Sequence, residues 1–229
     1  MDRDELEIWE AEAEDEFYSS LAGDIGFIID SALDARREAL IVLPADEFLL
    51  PAYEKIAEQK RDWRHVAIVP SHDGLVAVDD PESKAAWLAR LFMPKGARVL
   101  PLSSTNDDYK MAGVAADARL QDLGWPLDLV LLMLGAEGSV AGLVPGPDLE
   151  EAMADDLPAR AIGVADDEGD VQVTISKLSI VKARTLIFAL SGEGERDELE
   201  AAADGGGDTT VAKILADVTV PIDAHCLMA

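Results

Sequence analysis

The chain has few of the side chains from which reactive centres are most often built. One cysteine, Cys226, and three histidines, His65, His72 and His225, occur in 229 residues. A lone cysteine excludes an internal disulfide, and its place near the C-terminus reads as an incidental thiol. The histidines show no H-x-x-x-H or related spacing, so no metal site is expected. Cations are scarce too: 19 Lys and Arg stand against 46 Asp and Glu, a net charge of −27. Nucleic acid and anionic membrane both need phosphate neutralised by Lys or Arg, so neither is expected as a partner. Free phosphorylated metabolites are repelled as well, unless a local cationic pocket overrides the global field. No apolar run approaches the roughly 18 residues of a membrane-spanning helix. The opening, "MDRDELEIWEAEAEDEF", lacks the basic and then apolar regions of a secretory signal. Together these absences point to the cytoplasm, and the acidity reads as a device for solubility or for a salty interior.

What is present is a core. Apolar residues make up 49% of the chain, enough for one large α/β domain. Apolar positions Leu6, Trp9, Ala13, Phe17 and Leu21 recur every three or four residues, predicting a helix over 5–22 whose acidic segment 1–16 is frayed at its start. A second helix is expected over 23–37. Short, continuous apolar runs follow at 39–44, 65–70, 97–102, 127–134 and 185–191, the pattern of buried parallel strands. Between them lie helical stretches at 49–60, 80–93, 107–123, 177–183, 195–204 and 209–217, with Pro51 in a first turn. The alternating run 171–176 reads as a strand nearer an edge. Strands alternating with helices imply a single doubly wound α/β domain over 1–229: a mostly parallel sheet with helices on both faces, a three-layer sandwich. Such folds bind ligands beyond the carboxyl ends of their strands, so the loops after residues 43, 69, 134 and 190 are the candidates.

Those loops hold little chemistry. "LPADEFLLP" (43–51) has no glycine with which to cradle phosphate, and Asp46 and Glu47 would repel it. "VPSHDGLVAVDDPES" (69–83) offers His72 beside Asp73, a His–acid pair fit for general base work, or an ordinary turn. "GAEGS" (135–139) makes a tight turn whose N–H groups can bind an anion or polarise a carbonyl. Its Ser139 has no adjacent base and is in no G-x-S-x-G elbow. Near the fourth loop, Lys182, Arg184 and Arg196 are anion partners or, more simply, surface charges and helix caps. Lys84 and Arg160 are distant cations whose placement decides whether an anion site is rebuilt.

The strand and turn "DLVLLMLGAEGSVAGLVPG" (128–146) resembles D-L-V-L-L-G-x-G-x-D-G-H-T-A-S-L-F-P-G, a motif of the 6-phosphogluconolactonase family in the sugar-phosphate isomerase and deaminase-like superfamily. The resemblance runs from about residue 20 to the end. "VQVTISKLSIVKARTLIFALSGEGER" is similar to a later family segment, and "VPSHDGLVAVDDPESKAAWLARLF" sits where the family carries G-D-E-R and, later, Ser-Asn. The resemblance implies the doubly wound fold, no metal or cofactor, and hydrolysis of 6-phosphogluconolactone in the oxidative pentose phosphate pathway. It implies that the motif His activates water and that basic groups hold the sugar phosphate.

Position by position, the chemical groups are replaced. Ala45 and Asp46 stand for the Gly pair of the phosphate loop, and His72, Asp73 and Gly74 for Asp-Glu-Arg. Lys84 stands for the Asn, Glu137 for the Asp of the glycine turn, Ser139 for the catalytic His and Val140 for the Thr. Glu195 falls at or beside the late Lys. Arg184 is kept, as are Gly135, Gly138, Pro145 and Gly146. The expected pocket is therefore Ala45, Asp46, His72, Asp73, Gly135, Glu137, Gly138, Ser139 and Arg184, with His72, Asp73 and Ser139 the candidate catalytic groups. Losing a general base costs ~10²–10⁴-fold in rate, so lactonase activity is expected to be weak or absent. The alternatives are a working hydrolase with His72 as base, or a binding or regulatory protein. The expected partners are a sugar or sugar phosphate, and a further copy or a related lactonase in an oligomer.

Overall fold

The computed structural model describes residues 6–103 and 105–228. Its strands are β1 (Leu6–Ala11), β2 (Ala39–Leu43), β3 (Val66–Pro70), β4 (His72–Gly74), β5 (Arg98–Val99), β6 (Leu129–Leu132), β7 (Ala161–Ala165), β8 (Val171–Ile175), β9 (Leu186–Leu190) and β10 (Ile222–Leu227). Its α-helices are α1 (Glu14–Arg36), α2 (Leu50–Glu58), α3 (Lys84–Phe92), α4 (Tyr109–Gln121), α5 (Leu149–Ala152), α6 (Lys177–Val181), α7 (Glu193–Ala203) and α8 (Thr210–Leu215).

Seven strands form a parallel sheet in the order β1-β10-β9-β6-β2-β3-β5. The chain builds outward from β2 to β3 and β5, then returns beside β2 with β6 and builds the other way. The direction of winding therefore reverses between β2 and β6. β2, β6 and β9 are buried at every residue, as strands covered on both faces must be. Their alternating side chains feed two cores. Ile41, Leu129, Leu131 and Ile187 pack with Phe17, Ile25, Tyr53 and Phe92 on one face. Val42, Val130, Leu132 and Phe188 pack with Ala112, Leu120, Val211 and Ile214 on the other. This is the single doubly wound α/β domain that the run of strands and helices predicts.

Three expectations need correction. The stripe 5–22 is not one helix: residues 6–11 form the edge strand β1, paired in parallel with β10 through Trp9 and His225 among others. The helix starts at Glu14 and continues unbroken through Gly23 to Arg36. Of the 1–16 segment, residues 1–5 lie outside the described residues. The alternating run 171–176 is not near the edge of the main sheet. As β8 it is the central strand of a second, antiparallel sheet, β4-β8-β7. The run 97–102 pairs only at Arg98 and Val99.

The second sheet positions the site. β4 follows β3 after one residue, Ser71, and so carries His72 over the carboxyl end of the main sheet. β8 brings Gln172 and Thr174 to the same place. No helix of the described residues is long and apolar enough to cross a membrane.

Candidate functional site

A cleft of ≈ 360 Å³ opens at the carboxyl ends of β2 and β6, where the winding reverses. This is where ligands bind in doubly wound sheets. Its walls come from Pro44, Ala45 and Asp46 after β2, Ser71 and His72 after β3, Lys84 at the start of α3, residues 131–135, 139–142 and 144 of the strand and turn, and Gln172 of β8. Tyr53 fixes the first loop from below, its buried hydroxyl donating to the Pro44 carbonyl at 2.8 Å. The Asp46 carboxylate accepts from the Phe48 N–H at 2.8 Å and starts a 3₁₀ turn.

The glycine turn bonds largely to itself. The Gly135 N–H donates to the Ser139 carbonyl at 2.8 Å, and the Ser139 N–H to the Ala136 carbonyl at 3.1 Å. Those two donors are thereby turned away from any bound oxyanion. Ser139 is buried at 7% exposure and lines the cleft over Gly135, where an added Cβ would lie 2.5 Å from the Ser139 Oγ. Gly142, with φ +77°, passes so close beneath His72 that a Cβ there would meet the ring at 2.8 Å. Both its left-handed backbone and this approach call for glycine. The Gln172 amide donates to the Gly142 carbonyl at 2.8 Å and ties the turn to β8.

His72 lies in the cleft with both ring nitrogens engaged: Nδ1 with the Ser71 hydroxyl at 2.9 Å, Nε2 with the Lys84 ammonium. Burial, helped by the charge of Lys84, pushes its pKa down to about 3. It is neutral at pH 7, and a weak base. Lys84 is itself lowered by burial, against the opposing pull of Asp73 and Asp46.

The His72 shift has a measurable consequence. Between about pH 3 and 6.5 the unfolded chain protonates this imidazole and the folded chain does not. Stability contributed by the neutral ring is therefore complete above the unfolded value and falls as pH drops below it. His225, also lowered by burial, acts in the same direction. His72→Gln is expected to flatten the acid limb of a stability–pH curve, by up to about 1.4 kcal/mol per pH unit. Urea unfolding at several pH values reads this slope, and an unchanged slope would contradict the placement of His72.

Several expected site residues lie elsewhere. Asp73 is on the opposite face of β4 from His72 and is fully buried. Its carboxylate accepts from the Lys84 N–H at 2.9 Å, the Ala85 N–H at 3.1 Å and the Ser83 hydroxyl at 3.2 Å. It anchors the N-terminus of α3, where a negative charge meets the helix dipole, and does not orient His72. Glu137 is exposed with φ +56°, and Gly138 packs toward Glu198 and Thr209. Neither lines the cleft. Arg184 sits at the opposite, amino end of the strands, within 3.4 Å of the Asp128 carboxylate. Arg196 pairs with Glu10 and Asp197. Arg160 stacks over Trp125 and donates to backbone carbonyls. Only Lys84 among the questioned cations enters the cleft. Its burial was hidden in the sequence by distance along the chain, as were Gln172 and Ser71. Among the described residues no cluster of His, Cys, Asp and Glu is arranged to hold a metal ion.

The fold and cleft define a doubly wound α/β protein with a small-molecule-sized cleft at its switch point. Residues 12–220 match the family described as glucosamine-6-phosphate isomerases/6-phosphogluconolactonase, and the chain belongs to that family. It is 27% identical over 194 residues to a 6-phosphogluconolactonase of Rhizobium meliloti, covering 82% of this chain and 83% of that one. With a 6-phosphogluconolactonase of Pseudomonas putida it shares 26% over 212 residues, covering 90% and 87%. The crystal structure of a 6-phosphogluconolactonase from Shewanella baltica has the same fold: TM-score 0.85, 21% identity, 96% of each chain covered.

Proposed function

We propose that the chain binds a sugar or sugar lactone in this cleft and hydrolyses 6-phosphogluconolactone weakly or not at all. One observation carries the reading. Ser139 occupies the cleft where the lactonase motif carries its His, and His72, the nearest substitute, has both nitrogens engaged and a pKa of about 3. A base so weak contributes little to activating water near pH 7. The hydrolase reading through His72 is the less supported for the same reason, and Asp73 is unavailable to assist it.

The cleft also favours an unphosphorylated ligand. Among the described residues Lys84 is its one cation, and Asp46 faces the same space. Each missing charge-assisted bond to phosphate forfeits roughly 1.5–3 kcal/mol. Family membership supports, as part of the same proposal, a setting beside the oxidative pentose phosphate pathway in the cytoplasm. A ligand that binds only the folded chain raises its melting temperature. At one hundred times its Kd the gain is about 2.7 kcal/mol, a rise of roughly 5–11 °C for a chain of this size. Gluconate and glucono-lactone are expected to raise Tm more than 6-phosphogluconate does at equal concentration. A larger shift with 6-phosphogluconate would overturn the preference.

A further inference from the structure

We propose that Lys84 is a nucleophilic amine that captures aldehyde-bearing polyols in the cleft as a reversible imine. The inference rests on the reading that this cleft takes a carbohydrate, and adds a covalent step at a residue which that reading leaves idle.

The geometry singles out this amine. Asp73 clamps the Lys84 backbone N–H at 2.9 Å, so the residue is fixed at the cleft rim while its side chain runs inward to His72. A lysine placed to bind an anion gains by staying charged. Here the surroundings act against the charge. The residue is half-buried and is the first of α3, at the positive end of the helix dipole. The group that touches its Nζ is a neutral ring nitrogen and not a carboxylate. The contact tolerates both protonation states. The ammonium donates to Nε2 while Nδ1–H donates to Ser71, and the neutral amine can donate in the same way with its lone pair left free. Burial accordingly lowers the Lys84 pKa, while Asp73 and Asp46 limit the fall. The same two carboxylates would stabilise a protonated imine.

In the step itself, the Nζ lone pair adds to the aldehyde carbon and the carbonyl oxygen takes a proton. The carbinolamine then expels that oxygen as water as the nitrogen loses its second hydrogen, leaving a C=N bond. No oxidant or reductant is consumed, and hydrolysis reverses it. Met133, Val140 and Val144 supply apolar wall for the C–H face of a polyol, and the Ser71 and Ser139 hydroxyls lie in the same cleft. Asp46 disfavours a phosphorylated aldehyde.

The test uses the full chain, glyceraldehyde and sodium cyanoborohydride at pH 7, with peptide mass mapping. Reduced adduct is expected at Lys84 several-fold faster than at the exposed Lys60 and Lys95, and gluconate should slow it. Lys84→Arg and Lys84→Gln, each checked for unchanged Tm, should both lose the fast site. Glyceraldehyde 3-phosphate should label Lys84 more slowly than glyceraldehyde. Labelling of Lys84 no faster than Lys60 overturns the proposal, as does a fast site that survives in either variant. If gluconate raises Tm but Lys84 is not labelled, the covalent step fails alone. If neither occurs, the carbohydrate reading fails with it.

Discussion

Ser139→His is expected to raise the turnover of 6-phosphogluconolactone by about 10²-fold or more, with KM little changed. The wild-type turn has the strand, the glycines and the position of a lactonase motif, and lacks an imidazole there. Ser139 already lines the cleft, so a histidine at 139 adds an unengaged ring to the space where His72 has none to spare. Binding should stay poor because Asp46 and Gly74 still stand where the family carries phosphate-holding groups. The separation is the informative part: kcat rises while KM does not fall. Initial rates over a range of lactone concentrations, corrected for spontaneous opening, read both constants. A variant no faster than the wild type would show that more than the base is missing.

The second large effect concerns the support of the cleft. α4 and β7 meet through two glycines. A Cβ on Gly163 would lie 1.9 Å from the Tyr109 carbonyl oxygen, and one on Gly113 would lie 2.1 Å from the Gly163 nitrogen. The obstacle is backbone in both cases, so a side-chain rotation cannot relieve it. Helix and strand must separate, at a cost of about 3 kcal/mol or more. For a chain of this size that is a fall in Tm of roughly 6–12 °C. β7 pairs with β8, which carries Gln172 to the cleft, so Gly163→Ala should also weaken ligand binding. Gly23→Ala in α1 is the contrast. Nothing lies within 4 Å of its added Cβ, and relief of glycine's backbone entropy should stabilise the chain by roughly 0.5–1 kcal/mol. Thermal unfolding of the two variants should therefore move in opposite directions. Equal Tm values would contradict the close approach of α4 to β7.

Much of the architecture was legible because it rests on short-range signals. β2, β6 and β9 are uninterrupted apolar runs, and most helices between them carry their caps and stripes in plain view. β1 was not legible. In "LEIWEA" Glu7 and Glu10 interrupt the apolar residues, and Leu6 and Trp9 continue a helical spacing into α1, so only the partner β10 decides the matter. β7 was hidden by Gly163, which weakens a strand pattern and is present because α4 must approach it. In the small sheet β7 and β8 are antiparallel neighbours in sequence, but β4 joins β8 from about one hundred residues earlier, and that pairing has no local signature. At the site, Gly135 and Ser139, named from the resemblance, line the cleft. Arg184 stands at the far end of the sheet beside Asp128, and the Asp73 carboxylate accepts from the first N–H groups of α3. Lys84 was visible as a replaced residue but not as a wall of the cleft, since that place follows from where α3 begins.

The cleft keeps the frame of a lactonase motif without its base. The most direct test is the rate of 6-phosphogluconolactone opening with and without the wild-type chain, beside the Rhizobium meliloti relative in the same buffer. The prediction is a kcat at least about 10²-fold below that of the relative. A rate equal to the relative's would contradict it.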